Sequence, residues 1–203
     1  MKINIGKHLK ENADYSKEKY NFQFPDILLD TDKIKTIMIN EVVPSDPEDD
    51  FYGKNKIPDY LTTVLPLFRE AGISVESIDD ITSLGIYLTN AVKIPKSEYT
   101  VPKDYIIGSL PLLEAEIDLF PNLNVIMLMG DVAKKALNMI SRKRTKTAAI
   151  PAVSTYKLRK NELWYEGIRL FPSYIMTGKN ILIEKSKFTM ASEDIRNMLD
   201  LIS

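Results

Sequence analysis

Four separated stretches of the chain share one pattern, in which a short apolar run ends in polar residues. The clearest run is residues 125–129, which are all apolar and are followed directly by Gly130 and Asp131. Apolarity at every position is typical of a central strand that is covered on both faces, as strands of parallel sheets are. The polar residues that follow the other three runs are Asn40, Glu41, Asn90, Ser173 and Tyr174. The repeated pattern therefore predicts parallel strands that carry polar side chains at their carboxyl ends.

Helical spacing of apolar residues separates these runs. One helix is predicted to begin at Pro58 and to end at Gly72, with a kink or a break at Pro66, because proline cannot donate a backbone hydrogen bond. A second helix is predicted to follow Ser109 and to end at Pro121, and a third follows the most apolar run directly. The alternation of strands and helices predicts an α/β fold, a three-layer α/β/α sandwich with a central four-stranded, mainly parallel sheet.

The C-terminal part of the chain adds a hairpin and a final helix. Residues 163–165 and 168–171 flank Glu166 and Gly167, a pair suited to the tight turn of a hairpin. Apolar residues between 190 and 202 recur at helical spacing. In open sheets of this kind, ligands bind beyond the carboxyl ends of the strands.

Length and composition fit one globular domain. At 203 residues, of which 44% are hydrophobic, the chain is long enough to bury a sizeable core. We therefore expect a single domain over residues 1–203, with a polar N-terminal extension over about residues 1–30. No stretch approaches the ~20 uninterrupted apolar residues of a membrane span, and the start of the chain lacks a signal-peptide core. A cytoplasmic location without membrane contact is the expectation.

The absence of cysteine narrows the chemistry that the chain can support. Without a thiol it can form no disulfide, no cysteine nucleophile, no thiolate zinc site and no cysteine-ligated iron–sulfur cluster. The single histidine, His8, lies in a charged N-terminal segment, where a solvated or partly packed side chain is expected rather than a catalytic one. We therefore expect neither a bound metal nor any other cofactor.

Charge is distributed unevenly along a chain whose net charge is only −1. Residues 41–50 contain five acids and no base, whereas residues 134–160 contain nine basic residues and no acid. A basic stretch of this kind is either a solvated loop or a surface that faces phosphate. Beside an acidic site, the second interpretation suits a nucleic-acid ligand, and the sequence leaves both interpretations open.

Three of the polar strand ends carry recognisable motifs. Residues 39–44 read Ile-Asn-Glu-Val-Val-Pro, residues 89–93 read Thr-Asn-Ala-Val-Lys and residues 171–174 read Phe-Pro-Ser-Tyr. In sequence and order they resemble the uracil-DNA glycosylase superfamily, and the match covers most of the chain. It is closest to the branch whose first motif is Gly-Glu-Ala-Pro-Gly and which carries an iron–sulfur cluster. Here Asn40 replaces the leading glycine, an extra valine precedes Pro44, and the cysteines of the cluster are missing.

The resemblance implies a base-excision site, which must extrude a nucleotide, read its base, and stabilise both the sugar cation and the leaving base. Glu41 matches the acidic residue that polarises water or supports the sugar cation, and Asp46 and Glu48 are alternatives because the alignment is loose by one residue. Phe51 matches the aromatic residue that stacks on the extruded base, with Tyr52 as the other candidate. Such stacking contributes about 1–3 kcal/mol per base.

Asn90 matches the asparagine that reads uracil, since one side-chain amide offers both the donor and the acceptor that a uracil edge requires. The histidine that contacts the leaving base in active relatives is missing between residues 171 and 179, and the loss of such a donor slows a reaction by about 10²–10³. The candidates to replace it are Ser173, Tyr174, Thr177 and the backbone amides near Gly178. The residues expected to contact DNA phosphates are Lys93, Lys179, Lys185 and Lys187.

Three functions fit these observations. The first is excision of a deaminated base from DNA, with single-stranded DNA as one option. The second is a catalytically silent module that binds a nucleobase or single-stranded nucleic acid; the missing histidine favours it, and the retained Glu41 and Asn90 oppose it. The third is an unrelated α/β protein that holds a phosphorylated ligand at Gly130, where a helix N-terminus can accept an anion, although Asp131 would repel phosphate there.

Overall fold

The computed structural model describes all residues from Met1 to Ser203 and contains seven strands and eight α-helices. The strands are β1 (Lys2–Asn4), β2 (Leu28–Asp30), β3 (Thr36–Val42), β4 (Ile86–Val92), β5 (Val125–Met129), β6 (Leu163–Tyr165) and β7 (Ile168–Ser173). The helices are α1 (Ile5–Asn12), α2 (Asp59–Glu70), α3 (Ile78–Ser83), α4 (Lys103–Leu119), α5 (Asp131–Thr145), α6 (Thr155–Leu158), α7 (Asn180–Ile183) and α8 (Lys185–Ile202). None of the helices combines the length and the apolarity that a membrane crossing requires.

Five strands form the main sheet in the order β4-β3-β5-β7-β6. β3 is parallel to β4 and β5, and β5 is parallel to β7, whereas β6 is antiparallel to β7. The predicted α/β class and mainly parallel sheet are confirmed, but the prediction of four strands is wrong. Glu166 (φ 47°) and Gly167 (φ 81°) adopt left-handed backbone conformations, which make the hairpin turn tight enough for β6 to pair with β7 and extend the sheet.

Alternate side chains of the strands enter two separate cores, one on each face of the sheet. Ile126 and Leu128 of β5 join the core that α4 and α5 cover, whereas Met127 and Met129 join the core that α2 and α8 cover. Every residue of β5 is buried, as the continuous apolar run predicted. Helices on both faces of a mostly parallel sheet are compatible with a three-layer α/β/α sandwich.

The N-terminal thirty residues, which the sequence predicted as a polar extension, pack onto the rest of the chain. β1 and β2 form a separate two-stranded antiparallel sheet, and α1 buries Ile5 and Leu9 in the core on the α4 face. Farther along, the backbone N–H of Gln23 donates to the carbonyl of Lys93 at 2.7 Å. The segment therefore runs beside the carboxyl end of β4, next to the polar strand ends.

Two helix predictions need correction. α2 continues through Pro66 without a break, because its neighbours Leu65 and Leu67 are anchored in the core and their burial offsets the missing backbone hydrogen bond. α4 begins well before Ser109. Ser109 lies inside this helix, where its hydroxyl accepts a hydrogen bond from the backbone N–H of Lys93 at 3.0 Å. Ser109 thus joins α4 to the end of β4 and does not cap a helix.

Candidate functional site at the carboxyl edge of the sheet

The carboxyl ends of β3, β4, β5 and β7 meet at one edge of the sheet, because the four strands are parallel. From β3 the chain passes to β4 on one side, and β5 then pairs on the other side of β3. The crevice between the ends of β3 and β5 is therefore a topological switch point, the usual place for a ligand in open α/β sheets. The predicted residues Asn40, Glu41, Asn90 and Ser173 all lie at this edge.

Glu41 lies in this crevice with one carboxylate oxygen anchored. Its Oε1 accepts a hydrogen bond from the backbone N–H of Val132 at 3.1 Å, at the N-terminus of α5. Gly130 leaves room for this contact, since a Cβ there would lie 2.4 Å from the same oxygen. Burial, and less strongly the charge of Asp131, raise the pKa of the Glu41 carboxyl group. No side chain donates to the carboxylate, which therefore keeps capacity to accept a proton from a bound molecule.

The position of Glu41 also bears on the third function, a phosphate site at Gly130. The Glu41 carboxylate already occupies the N-terminus of α5, and the side chain of Asp131 is exposed beside it. A phosphate there would meet two carboxylates at close range, and like charges repel. The anion at this helix terminus is therefore the Glu41 carboxylate, and the site does not suit a phosphate ligand.

A row of four polar side chains crosses the ends of β3 and β4. Thr177 donates to Oδ1 of Asn40 at 2.9 Å, and Nδ2 of Asn40 donates to Oδ1 of Asn90 at 2.7 Å. Nδ2 of Asn90 in turn lies 2.9 Å from each carboxylate oxygen of Asp50. Asn40 and Asn90 are neighbours because they are register partners in the parallel pair of β3 and β4. We call Thr177, Asn40, Asn90 and Asp50 the polar row.

Asp50 is the member of the polar row that sequence reasoning missed. Its carboxylate also accepts the backbone N–H of Phe51 at 2.9 Å, and burial raises its pKa despite the hydrogen bond from Asn90. The signal in the sequence is its place as the last acid of the acidic stretch. The alternatives Asp46 and Glu48 are exposed and accept hydrogen bonds within their own loop.

A cavity of about 180 Å³ opens beside the polar row. Its wall includes Asp50 and Asn90 of the row, Thr89 of β4 and Phe24 of the N-terminal segment. A cavity of about 150 Å³ accommodates benzene, so this space suffices for one pyrimidine ring. We call it the inner cavity.

Three aromatic residues line the inner cavity, namely the predicted Phe51 and Tyr52 and also Phe24. Phe51 is only 1% exposed and packs against Tyr60, with ring centroids 5.4 Å apart, so its ring belongs to the core and is not free to stack on a base. Tyr52 stacks on Tyr87, with centroids 5.9 Å apart. The aromatic residue that sequence reasoning missed is Phe24, and the signal was an aromatic residue at every second position from 20 to 24.

The structure places Lys93 where the predicted phosphate contact does not fit. Lys93 is 2% exposed, and its ammonium group donates to Oε2 of Glu116 at 2.6 Å and to Thr89. Glu116 is fully buried and also accepts a hydrogen bond from Tyr87 at 2.7 Å. Movement of Lys93 toward DNA would leave a buried carboxylate unpaired, which is strongly unfavourable. Lys93 therefore has a structural role, in which its buried ion pair stabilises the wall of the inner cavity.

The three side chains predicted to replace the missing histidine have different surroundings. Ser173 is fully buried, and its hydroxyl donates to Asp194 at 2.6 Å, a carboxylate that Arg159 also contacts at 2.7 Å. The proton of Ser173 is thus committed to a structural contact, so the predicted catalytic role does not fit. Tyr174 is partly exposed. Thr177 is the loop residue that reaches the polar row.

The remaining predicted DNA contacts, Lys179, Lys185 and Lys187, lie on the surface that follows β7. Lys187 lies 2.9 Å from Glu184, and Lys179 lies 3.7 Å from Asp59. Exposed ion pairs of this kind contribute little to stability. All three lysines therefore remain accessible to a ligand.

Comparison of the chain with models of protein families and with curated proteins finds no match.

No three histidine, aspartate or glutamate side chains converge to form a metal site. His8 lies on α1, where its ring contacts the side chain of Asn12 at 3.3 Å. The buried polar side chains that could take part in chemistry therefore lie mainly at the carboxyl edge of the sheet.

Proposed function

We propose that this chain is a divergent DNA glycosylase of the uracil-DNA glycosylase type, which hydrolyses the N-glycosidic bond of a deaminated base. The observation that carries the proposal is the Glu41 carboxylate, which lies at the topological switch point with one anchored oxygen and a raised pKa. A carboxyl group in this state suits a general base, because its pKa is shifted toward the working pH.

The arrangement of the motifs supports the proposal. Asn40 and Glu41 lie near the end of β3, Asn90 lies near the end of β4, and Ser173 ends β7. Because these strands are parallel, the asparagine that would read a base and the carboxylate that would activate water share one edge of the sheet. The resemblance in sequence implies the same grouping of residues around an extruded nucleotide.

In the proposed mechanism, an extruded base enters the inner cavity, where its Watson–Crick edge meets Asn90 and Asp50. Glu41 accepts a proton from a water molecule, and the oxygen of that water forms a bond to C1′ of the sugar. The bond between C1′ and the base nitrogen breaks, and its electron pair leaves with the base. The base takes up a proton from solvent and Glu41 releases its proton to solvent, so that the products are a free base and an abasic sugar.

Recognition of the base requires the polar row to exchange partners. Both ends of the Asn90 amide are engaged, by Asn40 and by Asp50. A base that offers one donor and one acceptor bonds both ends of the Asn90 amide in their place, and the exchange is favourable only when the amide N–H of Asn40 and the carboxylate of Asp50 also find partners on the base or in water. A base with the opposite pattern leaves polar groups of the row unpaired, which excludes it. Selectivity therefore arises because the row is satisfied before the base arrives.

Thr177 can assist the leaving base only by giving up its hydrogen bond to Asn40. It comes from the loop in which the resembled enzymes carry their histidine, and its hydroxyl already donates into the polar row. A neutral hydroxyl is a weaker donor than a preorganised histidine, and a lost donor of this type slows a reaction by about 10²–10³. We therefore expect a slow enzyme.

The test is excision of uracil from single-stranded oligonucleotides, measured as alkali-labile sites at high protein concentration. Glu41→Gln can keep the hydrogen bond from Val132 but cannot accept the proton, so excision should fall by about 10²–10⁴. Glu98→Gln removes an exposed carboxylate outside the site and should leave excision unchanged. Excision by Glu41→Gln at the wild-type rate would contradict the proposal.

The second candidate function is a silent module that binds the base without cleaving it. The observation in its favour is the loop after β7, where Thr177 stands in place of a histidine and donates to Asn40. Such a module would retain the oligonucleotide and produce no abasic site in the same experiment. Retention without cleavage, beside an active control enzyme, would move the conclusion to this candidate.

A further inference from the structure

A second and larger cavity, of about 660 Å³, lies at the other end of the carboxyl edge. Its wall includes Gly130 at the start of α5, Tyr156 of α6 and the loop that begins at Ser173. Gly130 is also the residue against which the Glu41 carboxylate packs. Gly130 therefore lies between this cavity and the Glu41 carboxylate. We call it the outer cavity.

Exposed aromatic rings beside lysines distinguish the outer cavity. Tyr156 is 53% exposed, and the ammonium nitrogen of Lys160 lies 4.6 Å from the centroid of its ring. Tyr174 lies in the same wall, with the nitrogen of Lys187 at 5.9 Å from its ring. Surfaces that bind single-stranded nucleic acid combine these two features, because bases stack on the rings and cations contact the backbone.

The turn that carries Tyr156 is held firmly in place. Arg159, just after α6, donates from Nε to the two carboxylate oxygens of Asp194 at 2.9 and 2.7 Å. Its NH2 group also donates to the carbonyl of Met190 at 2.9 Å, and Leu158 is buried. An aromatic ring on an anchored turn loses little conformational freedom when a ligand stacks on it.

The charges around the outer cavity leave a surplus of lysine. The acids in its wall are each paired, Asp131 with Lys134 at 2.7 Å and Glu184 with Lys187 at 2.9 Å. Within the basic stretch, Arg144 is engaged by carboxylates on the α4 side. The nearby lysines that form no ion pair are Lys157, Lys160 and Lys185. Lys135, Arg142 and Lys146 of the stretch also form no ion pair, and Lys157 and Lys160 are the unpaired lysines that lie next to Tyr156 in sequence.

We propose that the outer cavity binds the single strand of DNA next to the extruded base, with Tyr156 stacking on one base and Lys157 and Lys160 contacting phosphates. The inference rests on the proposed function and names its substrate as single-stranded DNA. Charge complementarity and the exposed ring select this ligand, because a duplex keeps its bases stacked on one another and offers no free base face to Tyr156.

The test is binding of a fluorescent oligothymidylate to the full chain at low salt, followed by anisotropy. Tyr156→Ala should weaken binding by at least about fivefold, the loss expected when one stacked base loses its ring, whereas Tyr156→Phe keeps the ring and should bind like wild type. Tyr99→Ala is the matched control, because Tyr99 is 96% exposed beside Lys96 but lies outside both cavities. Equal losses in Tyr99→Ala and Tyr156→Ala would overturn the assignment, as would no loss in Tyr156→Ala.

A second variant tests the phosphate contacts. Lys157→Gln combined with Lys160→Gln should lower the slope of log affinity against log salt by about 0.7 for each phosphate contact that is removed. An unchanged slope would overturn the role of these lysines. Binding of a duplex as tight as that of the single strand, and insensitive to Tyr156→Ala, would overturn the stacking role.

The outcomes separate this inference from the proposed function. The oligothymidylate contains no excisable base, so its binding through Tyr156 can hold even where no excision is found. In that case the inference stands and only the proposed chemistry fails. Uracil excision together with unchanged binding by Tyr156→Ala would instead retain the chemistry and remove the inference.

Discussion

The inner and outer cavities lie at opposite ends of one sheet edge, yet their walls differ in how much of their polar surface is already bonded. Beside the inner cavity, every member of the polar row has a partner, and Lys93 and Glu116 form a buried ion pair. Beside the outer cavity, Tyr156 and Lys157 are exposed, and Lys157 forms no ion pair. The polar groups beside the inner cavity bond to one another, whereas the ring of Tyr156 and the side chain of Lys157 beside the outer cavity are exposed to solvent.

The difference indicates two kinds of recognition. A buried polar group that loses its partner costs about 1–3 kcal/mol, so a satisfied row accepts a ligand that matches it and rejects one that does not. Exposed lysines contribute affinity for any phosphate backbone and do not distinguish one base sequence from another. In the proposed enzyme the inner cavity therefore selects the base and the outer cavity holds the strand. Glu41 belongs to β3, which lies between β4 beside the inner cavity and β5 beside the outer cavity.

The largest expected effect concerns the two lysine–carboxylate pairs. Glu116→Gln leaves Lys93 as a buried ammonium group without its counter-ion, and we expect a loss of about 3–5 kcal/mol in the free energy of unfolding. Glu184→Gln removes the exposed partner of Lys187, and we expect a loss below about 1 kcal/mol. Urea unfolding measures both. Similar losses in the two variants would contradict the distinction between buried, bonded polar groups beside the inner cavity and exposed ones beside the outer cavity.

The next effect concerns asparagine at the two ends of the edge. Asn40→Ala leaves Thr177 and Asn90 each without one buried partner, so the free energy of unfolding should fall by about 1–3 kcal/mol. Asn180→Ala, in the wall of the outer cavity, removes an exposed side chain and should change it by less than about 0.5 kcal/mol. Thermal unfolding of both variants checks the prediction. A stable Asn40→Ala variant would show that the polar row is not closed in solution.

A smaller effect is the dependence of stability on pH. The pKa of Glu41 is raised above 4.5 by burial, so the folded chain binds more protons than the unfolded chain between these two values. The free energy of unfolding should therefore fall as pH rises from about 4.5 through the raised pKa, by at most about 1.4 kcal/mol per pH unit for one group. In Glu41→Gln the decrease of the free energy of unfolding with rising pH should be smaller by the contribution of this group.

The measurement for this prediction is urea unfolding of both proteins across the acidic and neutral range. The carboxyl groups of Asp50 and Asp194 also have raised pKa values because of burial, so Glu41→Gln should retain part of the dependence. Identical pH profiles for wild type and Glu41→Gln would show that the Glu41 carboxyl group titrates alike in the folded and unfolded chains.

The fold was predictable where local pattern and tertiary environment agree. Residues 125–129 are apolar at every position and form the central strand β5, because continuous apolarity is stable only where both faces are covered. The hairpin of residues 163–165 and 168–171 was also predictable, because Glu166 and Gly167 suit a tight turn, and both adopt left-handed conformations. The count of four strands left out β6, which joins the main sheet through its pairing with β7.

The site was predictable in position and less so in the state of its side chains. The motifs placed Asn40, Glu41 and Asn90 at the edge of the sheet, because a parallel strand fixes where its carboxyl end lies. The partner of Lys93 is Glu116, distant in sequence and on α4, so no local pattern could show that the lysine is buried. The burial of the Phe51 ring likewise depends on how α2 packs against it. The sequence of the loop alone does not reveal that packing.

The central claim is that Asn90 reads a nucleobase by exchanging its partners in the polar row. The most direct measurement is a titration of ¹⁵N-labelled protein with free uracil, in which the side-chain amide signals of Asn40, Asn90 and Asn180 are followed. The account predicts saturable shifts of Asn40 and Asn90 with uracil, smaller or no shifts with cytosine, and none for Asn180. Unmoved Asn40 and Asn90 signals at high uracil concentration, or equal shifts with both bases, would contradict it.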